Sequence, residues 1–359
     1  MRVIHPIIIA TLFLTNLFGV IPNKQMHLED DLGNTSNQFT NSRVSTSHSY
    51  FNGNEWYARV VNDGQWATDE PAGSAGGPGG LWPRGSNNSV LYDAGLWIGF
   101  KDDQDQTHFS GVKWQSDFNP GPYGVTDIDN ENYRVYKVNR WDDATVSDWS
   151  DWPVDMGGPW QDNNSDGSYD PAVDQPYLPL DQTLYSVYND STDHPVFGTS
   201  INGIEVHQTI FGGVSSAHND LSRTFFIKYE IINKGSLSWH NARFGPFTDV
   251  DLGDWSNDAI GVDVDSNMVY CYSAEAGADA DVFGISPAVG FRYISGLNSL
   301  DDNLSSGGCI GSGCTDGAWN YEYYDPQDQW QAYNRMLGLQ NNGNSIVDDN
   351  GENSFFTNS

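Results

Sequence analysis

The chain has 359 residues, with 48 acidic and 16 basic side chains and a formal charge of −32. That length suffices for two ordinary domains or one large β domain, each able to bury a core. The charge excludes a nucleic-acid binder, which needs clusters of Lys and Arg against phosphate, and it disfavours docking on anionic lipid.

The acid is lopsided, 39 Asp to 9 Glu, alongside 38 Gly and 16 Pro. Asp competes with the helical backbone and favours turns and caps. The expected fold class is therefore all-β: β-sandwich-like domains with long Asp/Gly-rich loops and few, short helices.

In chain order, residues 1–21 read as a secretory signal peptide. Arg2 supplies the positive charge, and Ile7, Ile8, Ile9, Leu12, Phe13 and Leu14 open an apolar run to Ile21. The run falls short of the about 20 apolar residues a span needs, so the mature chain is expected to carry no membrane span and to be secreted or held at the outer cell surface. Residues 22–48 are a polar linker, too poor in apolar groups to offset the entropy of ordering.

Residues 49–190 form a first β region. Pro71–Gly80 is a glycine-rich loop without the Lys-Ser/Thr of a phosphate cradle. Val90–Tyr92 and Gly95–Phe100 read as a pair of strands, and Tyr133–Val138 alternates cleanly. Trp141, Trp149, Trp152 and Trp160 are interleaved with Asp142, Asp143, Asp148 and Asp151. Such rings either cover the edge of a β core, the preferred reading, or stack sugar rings beside carboxylates.

The most informative segment follows. Asp162, Asn164 and Asp166 stand at positions 1, 3 and 5 of a loop with Gly167 at position 6, the first half of an EF-hand-like calcium loop. Alternate side chains of a tight loop converge on one ion, and glycine permits the sharp turn. Ser168 supplies a carbonyl and Asp170 stands at position 9. Val173 replaces the usual bidentate Glu at position 12, with Asp174 as the substitute. No amphipathic helices flank the loop, so a helix-free calcium site is expected; a solvated Asx turn is the plainer alternative.

Residues 191–359 form a second β-sandwich-like region. Ile204, Val206, Gln208 and Ile210 share one strand face, opposite Glu205, His207 and Thr209; Phe225, Ile227, Tyr229 and Ile231 share another. Asp249, Asp251, Asp254 and Asp258 crowd one loop with Asn257, and a hard cation would relieve their repulsion, unless the loop fans its charges into water. Asp348–Glu352 is a weaker candidate of the same type. Cys271 lies in a strand and reads as a buried thiol, while Cys309 and Cys314 enclose a four-residue loop that a disulfide could close.

The strings Tyr92–Gly99, Asp181–Asp190, Gly203–Thr209, Phe225–Gly235 and Asp249–Asp254, with Asp258 and Gly261–Asp263, follow one another in that order. This series resembles large, poorly characterised, multi-module β proteins secreted by Bacteroidota and related phyla, often through type IX secretion. The resemblance implies an extracellular or surface role and supplies no catalytic residue.

The functional expectation is a secreted or surface structural or binding protein stabilised by calcium, with no reaction identifiable. Its partners would be extracellular polysaccharide or surface proteins. The alternative is a carbohydrate-active protein, either a binding module or a glycoside hydrolase using an Asp/Glu pair. Only Glu205 and Glu230 sit on clear strands, and both are expected to face solvent beside a Lys or His. No Walker A, G-x-G-x-x-G, G-x-S-x-G or H-E-x-x-H pattern occurs.

Overall fold

Period-two alternation sends apolar side chains to one side of each strand, and the chain uses that device twice, in two sheets that share one core. The computed structural model describes residues 3–6, 47–68, 79–192, 194–214, 219–263, 268–294, 297–299 and 326–345. The first strands are β1 (Val3–Pro6), β2 (His48–Phe51), β3 (Tyr57–Val61), β4 (Gly80–Leu81), β5 (Ser89–Lys101), β6 (Thr107–Gly111), β7 (Asn119–Pro120), β8 (Tyr136–Asn139) and β9 (Trp160–Gln161). They are followed by β10 (Gln175–Pro176), β11 (Gln182–Asn189), β12 (Ile204–Gly212), β13 (Phe225–Asn233), β14 (His240–Val250), β15 (Asp258–Asp263), β16 (Met268–Ser273), β17 (Ala288–Arg292) and β18 (Leu297–Ser299). The α-helices among the described residues are short: α1 (Ser147–Ser150), α2 (Ala280–Phe283) and α3 (Gln329–Met336). The fold is all-β.

One sheet runs β18–β1–β13–β12–β11–β7, with β8 also on β11; the other runs β14–β5–β4–β3–β2, with β6 also on β5. Their facing sides meet in a single apolar cluster. Ile204, Val206 and Ile210 of β12 and Phe225, Ile227 and Ile231 of β13 join Phe51, Val60, Leu96, Ile98 and Phe100 of the opposite sheet. Each such side chain contributes roughly 1.5–3 kcal/mol by leaving water. The face assignments expected for β12 and β13 hold: their alternate residues Glu205, His207, Lys228 and Glu230 lie on the outer face.

The strands on either side of residue 190 are interleaved. β11 pairs with β12 from Gln182↔Gly212 to Asn189↔Glu205, and β14 pairs with β5, so residues 49–190 and 191–359 build both sheets together. β1, which falls within the residues expected as a signal peptide, lies between β13 and β18, with Val3 opposite Ile232 and Ile4 opposite Ser299. A chain cleaved after Ile21 lacks this strand. The apolar run after it, residues 22–46 of the expected linker, and Cys309 and Cys314 lie outside the described residues, as does Asp348–Glu352; His48, the last residue of that linker, opens β2.

Two further clusters coat the outer faces. Tyr136, Val138, Trp149, Trp152, Tyr185 and Val187 cover one sheet; on the other, α3 lays Ala332, Tyr333 and Met336 against Trp97, Phe109 and Phe197. Lys101 Nζ sits 4.9 Å from the Trp330 ring centroid, and Tyr333 Oη donates to Asn241 O at 2.8 Å. Among the described residues no helix is long and apolar enough to cross a membrane.

The strand pair expected at Val90–Tyr92 and Gly95–Phe100 is one strand, β5, of 13 residues. The acid between them marks no turn. Asp93 is fully buried, and its carboxylate accepts from Trp114 N–H at 2.5 Å, from Gln65 Nε2 at 3.2 Å and from the Thr68 hydroxyl. Three donors replace water at a carboxylate that chain-local propensity places in a loop.

Candidate metal centres

The first candidate is the tip of a hairpin. β9 and β10 pair through Gln175↔Gln161 and Pro176↔Trp160, and residues 162–174 close the ribbon. Within this tip, side-chain oxygens accept backbone N–H groups in sequence. Asp162 takes Ser165 N–H on Oδ1 at 2.6 Å and Gly167 N–H on Oδ2 at 2.9 Å. Asn164 Oδ1 takes Asp166 N–H at 3.1 Å, and Asp166 Oδ1 takes Ser168 N–H at 2.8 Å. Asp170 Oδ1 takes Ala172 N–H at 3.0 Å. Gly167 has φ +75°, the left-handed conformation that favours glycine.

Asp174 does different work from the exposed acids. It is buried and bolts the base of the loop, Oδ1 accepting Asn163 N–H and Oδ2 accepting Asp170 N–H, both at 2.8 Å. These bonds explain the spacing of Asp and Asn as consecutive Asx turns. Each carboxylate oxygen keeps a second lone pair for an ion; Asn164 and Asp166 are exposed and Asp162 is half-buried.

The second candidate forms where β14 ends. Asp254 starts the turn Trp255–Asn257, its Oδ1 accepting Ser256 N–H at 3.1 Å. Asp258 opens β15, and its Oδ2 accepts Leu252 N–H at 2.9 Å. Asp279, far away in sequence, completes the group: Oδ1 accepts Asp254 N–H and Oδ2 accepts the Ser273 hydroxyl, both at 2.8 Å. Gly253 (φ +91°) gives Asp279 room, since a Cβ there would lie 2.6 Å from Asp279 Oδ1.

This site is electrostatically strained. Burial pushes the Asp258 carboxyl up to about 7; the Leu252 N–H opposes the shift, while the charges of Asp251, Asp279 and Asp254 add to it. Burial, followed by the charges of Asp258 and Asp251, also holds the Cys271 thiol well above its ordinary range, so it stays protonated and unreactive. Cys271 is a free, buried cysteine, as expected. Among the described residues, two buried oxygens, Asn257 Oδ1 and Asp258 Oδ1, meet no nitrogen or hydroxyl donor, and the Cys271 thiol stands beside the Asp258 carboxylate. An all-oxygen donor set of this kind suits a hard cation. Among the described residues, no three His, Cys, Asp or Glu side chains form a ready-made ligand set. No family model, curated protein or solved structure matches the chain.

Asp249 stands apart from the acids after β14. It lies within β14 opposite Asp93 of β5, where strand pairing rather than loop position sets its surroundings. Asp279 was not legible as a partner, because its distance from Asp254 in sequence leaves no local spacing to read.

Glu205, on β12, makes a poor general acid. Glu205 is buried, its side chain 5% exposed, rather than facing solvent. Its partners are as expected: His207 Nε2 at 3.0 Å and Lys234 Nζ at 3.1 Å, with Tyr123 N–H at 2.7 Å. Burial raises its pKa, yet the hydrogen bonds of His207, Tyr123 N–H and Lys234 outweigh burial and bring it down to about 2. An acid so firmly ionised cannot protonate a leaving group near neutral pH. Of the four interleaved tryptophans, Trp149 and Trp152 are buried and Trp160 half-buried, while Trp141 is 77% exposed.

Proposed function

We propose that the protein is an exported, extracellular or surface-held β-sandwich scaffold whose loops are tied by calcium, and that it binds or spaces partners rather than catalysing a reaction. The observation carrying this reading is a pair of buried acceptors that no nitrogen or hydroxyl donor among the described residues reaches, Asn257 Oδ1 and Asp258 Oδ1, beside Asp251, Asp254 and Asp279. A divalent ion there would be held by Asp258 and Asn257 with neighbouring carboxylates. It would supply the positive charge the cluster lacks and pin the end of β14 to the start of β15. The side-chain oxygens of Asp162, Asn164 and Asp166 are a second, weaker position of the same chemistry. Export rests on the N-terminal apolar run and on the resemblance to secreted Bacteroidota proteins, type IX secretion being the route it suggests. Extracellular calcium is abundant enough to fill loops with affinities of about 10⁻⁴ to 10⁻³ M.

The test is thermal unfolding of the full chain with calcium against excess chelator. Saturating ion at about 100 times Kd adds about 2.7 kcal/mol and raises Tm. Identical melting in calcium and chelator removes the ion from this account.

A second reading, carbohydrate binding, is favoured by the exposed rings of Trp141 and Trp255 (77% and 56% exposed), the latter next to Asp254. A glycan array discriminates: retention of a polysaccharide that is lost in Trp141→Ala or Trp255→Ala supports it, and silence leaves the scaffold reading ahead.

A further inference from the structure

β15, β16 and β17 form a small sheet of their own, with one side on the core and the other turned outward. β16 alternates strictly: Val269, Cys271 and Ser273 are buried, while Met268 and Tyr270 are half-buried and Tyr272 is 37% exposed. Cys271 and Val289 of β17 belong to the main apolar cluster, so their side faces the core. Residues paired across strands share a face, and the pairing therefore defines the outer side. Tyr270 stands between Gly261 of β15 and Gly290 of β17, and Tyr272 between Ala259 and Ala288. Each tyrosine has nothing larger than a methyl group beside it on either neighbouring strand.

The glycines are there for room. Neither has a positive φ, so backbone conformation does not call for glycine. A Cβ on Gly261 would stand 2.5 Å from the Tyr270 hydroxyl oxygen and 2.6 Å from its Cε2, because the far end of that ring lies over the β15 backbone. On the other strand, Met268 Sδ comes within 3.1 Å of the place a Cβ would take on Gly290. A ring laid over glycine shields the strand, which accounts for Tyr270 as a structural device. It does not account for Tyr272, whose neighbours are alanines and whose ring lies 5.7 Å from that of Tyr270, tilted by 42°. Glycine inside a strand weakens it and marks places where a ligand comes close.

We propose that Tyr270 and Tyr272 form a stacking platform for an uncharged polysaccharide, with neighbouring sugar units lying on the two aromatic rings.

The C–H face of a pyranose is apolar and weakly positive, and it suits the negative face of an aromatic ring. The sugar hydroxyls are left for the phenols, which both donate and accept. Exposed Arg292, opposite Met268, stands at the Tyr270 end of the strip, with Asp263 opposite Met268 on the other strand. Charge selects among occupants. The chain carries −32, so a polyanionic glycan or a second copy is repelled. The tyrosines and their Gly and Ala neighbours are uncharged, and a cationic segment would be drawn to the acid loops instead. A proline-rich peptide docks in an aromatic-lined groove, and Gly and Ala on both sides provide no groove walls. The platform shares its ligand class with the second reading above but none of its residues, and it is independent of the calcium reading.

Affinity electrophoresis of the full chain tests the platform, using gels that hold hydroxyethylcellulose, xyloglucan or galactomannan, with alginate as the polyanion. The expected result is retardation by at least one neutral polymer and none by alginate. Tyr272→Ala should weaken that affinity at least about tenfold, whereas Tyr272→Phe, which keeps the ring, should stay within about threefold of the parent. Gly261→Ala, which displaces the Tyr270 ring, should also weaken it. Tyr272→Ala uncovers no glycine, so it reads binding even where Tyr270 variants loosen the strand. Free migration through every neutral polymer, or retardation undiminished in Tyr272→Ala, overturns the platform. So does retardation lost only in Trp141→Ala or Trp255→Ala, which returns the glycan to the second reading. Capture of polyproline by these tyrosines in place of the polymers, or self-association through them, overturns it as well.

Discussion

Trp66 Nε1 donates to Tyr229 Oη at 2.9 Å across the core, joining the two sheets through a polar bond inside a largely apolar interface. Both residues are buried. Burial drives the Tyr229 phenol well above its ordinary range despite the Trp66 bond, so it stays neutral at any physiological pH. Tyr229→Phe keeps the ring and strands the indole N–H. The expected cost is about 1–3 kcal/mol, read as a lower denaturation midpoint at unchanged m-value. A variant as stable as the parent would show that the bond contributes nothing net.

Glu205 predicts the acid limb of stability. Its folded pKa of about 2 lies below the ordinary 4.5, so its stabilisation is complete above about pH 4.5 and drains away as pH falls toward 2. The shift corresponds to about 3 kcal/mol. Glu205→Gln should lower stability at neutral pH and flatten the profile between those limits. Equal slopes in parent and variant would mean that other carboxylates set the acid transition.

Asp258 predicts the opposite sign. Its carboxyl is raised to about 7, so without ion the folded state loses stability as pH climbs from about 4 to 7. Asp258→Asn should remove that loss, stabilising the ion-free chain at neutral pH while weakening the calcium response. Calorimetric titration reads the second effect and chelator melts the first; a full calcium response in Asp258→Asn would move the ion elsewhere.

Gly253→Ala tests the same corner by shape. The new methyl would meet Asp279 Oδ1 at 2.6 Å from a backbone with φ +91°. We expect destabilisation of about 1–3 kcal/mol, together with a reduced calcium shift. Loss of stability with an intact calcium shift would separate Asp279 from the ion.

Asp162→Ala strips the hairpin tip of the acceptor for Ser165 and Gly167 N–H. Because these bonds are exposed, the cost to the fold should stay within about 1 kcal/mol. Terbium luminescence, excited through tryptophan, then reports whether the tip holds a cation: an unchanged signal assigns it no ion.

Much of the architecture was readable from residue order, because β12 and β13 carry their core residues at strict alternation and lie on the faces that pattern dictates. The pattern failed at Asp93, where buried donors from distant segments overrode a turn former, and at Glu205, where Lys234 and His207 made burial tolerable. The acid loops were visible as composition. Which acids meet was not, since Asp279 reaches Asp254 only through the β15–β16–β17 sheet, and Asp249 is drawn away by pairing with β5.

α3 comes near the far end of the chain yet covers aromatic groups contributed by β5 and β6. A polypeptide emerging N-terminus first therefore has Phe197 and Phe247 to pack on Trp97 and Phe109 but leaves their cover incomplete until more than two hundred further residues have followed. Closure depends on the last clasp rather than on the first strands. Such late, non-local completion favours slow assembly and a sticky intermediate.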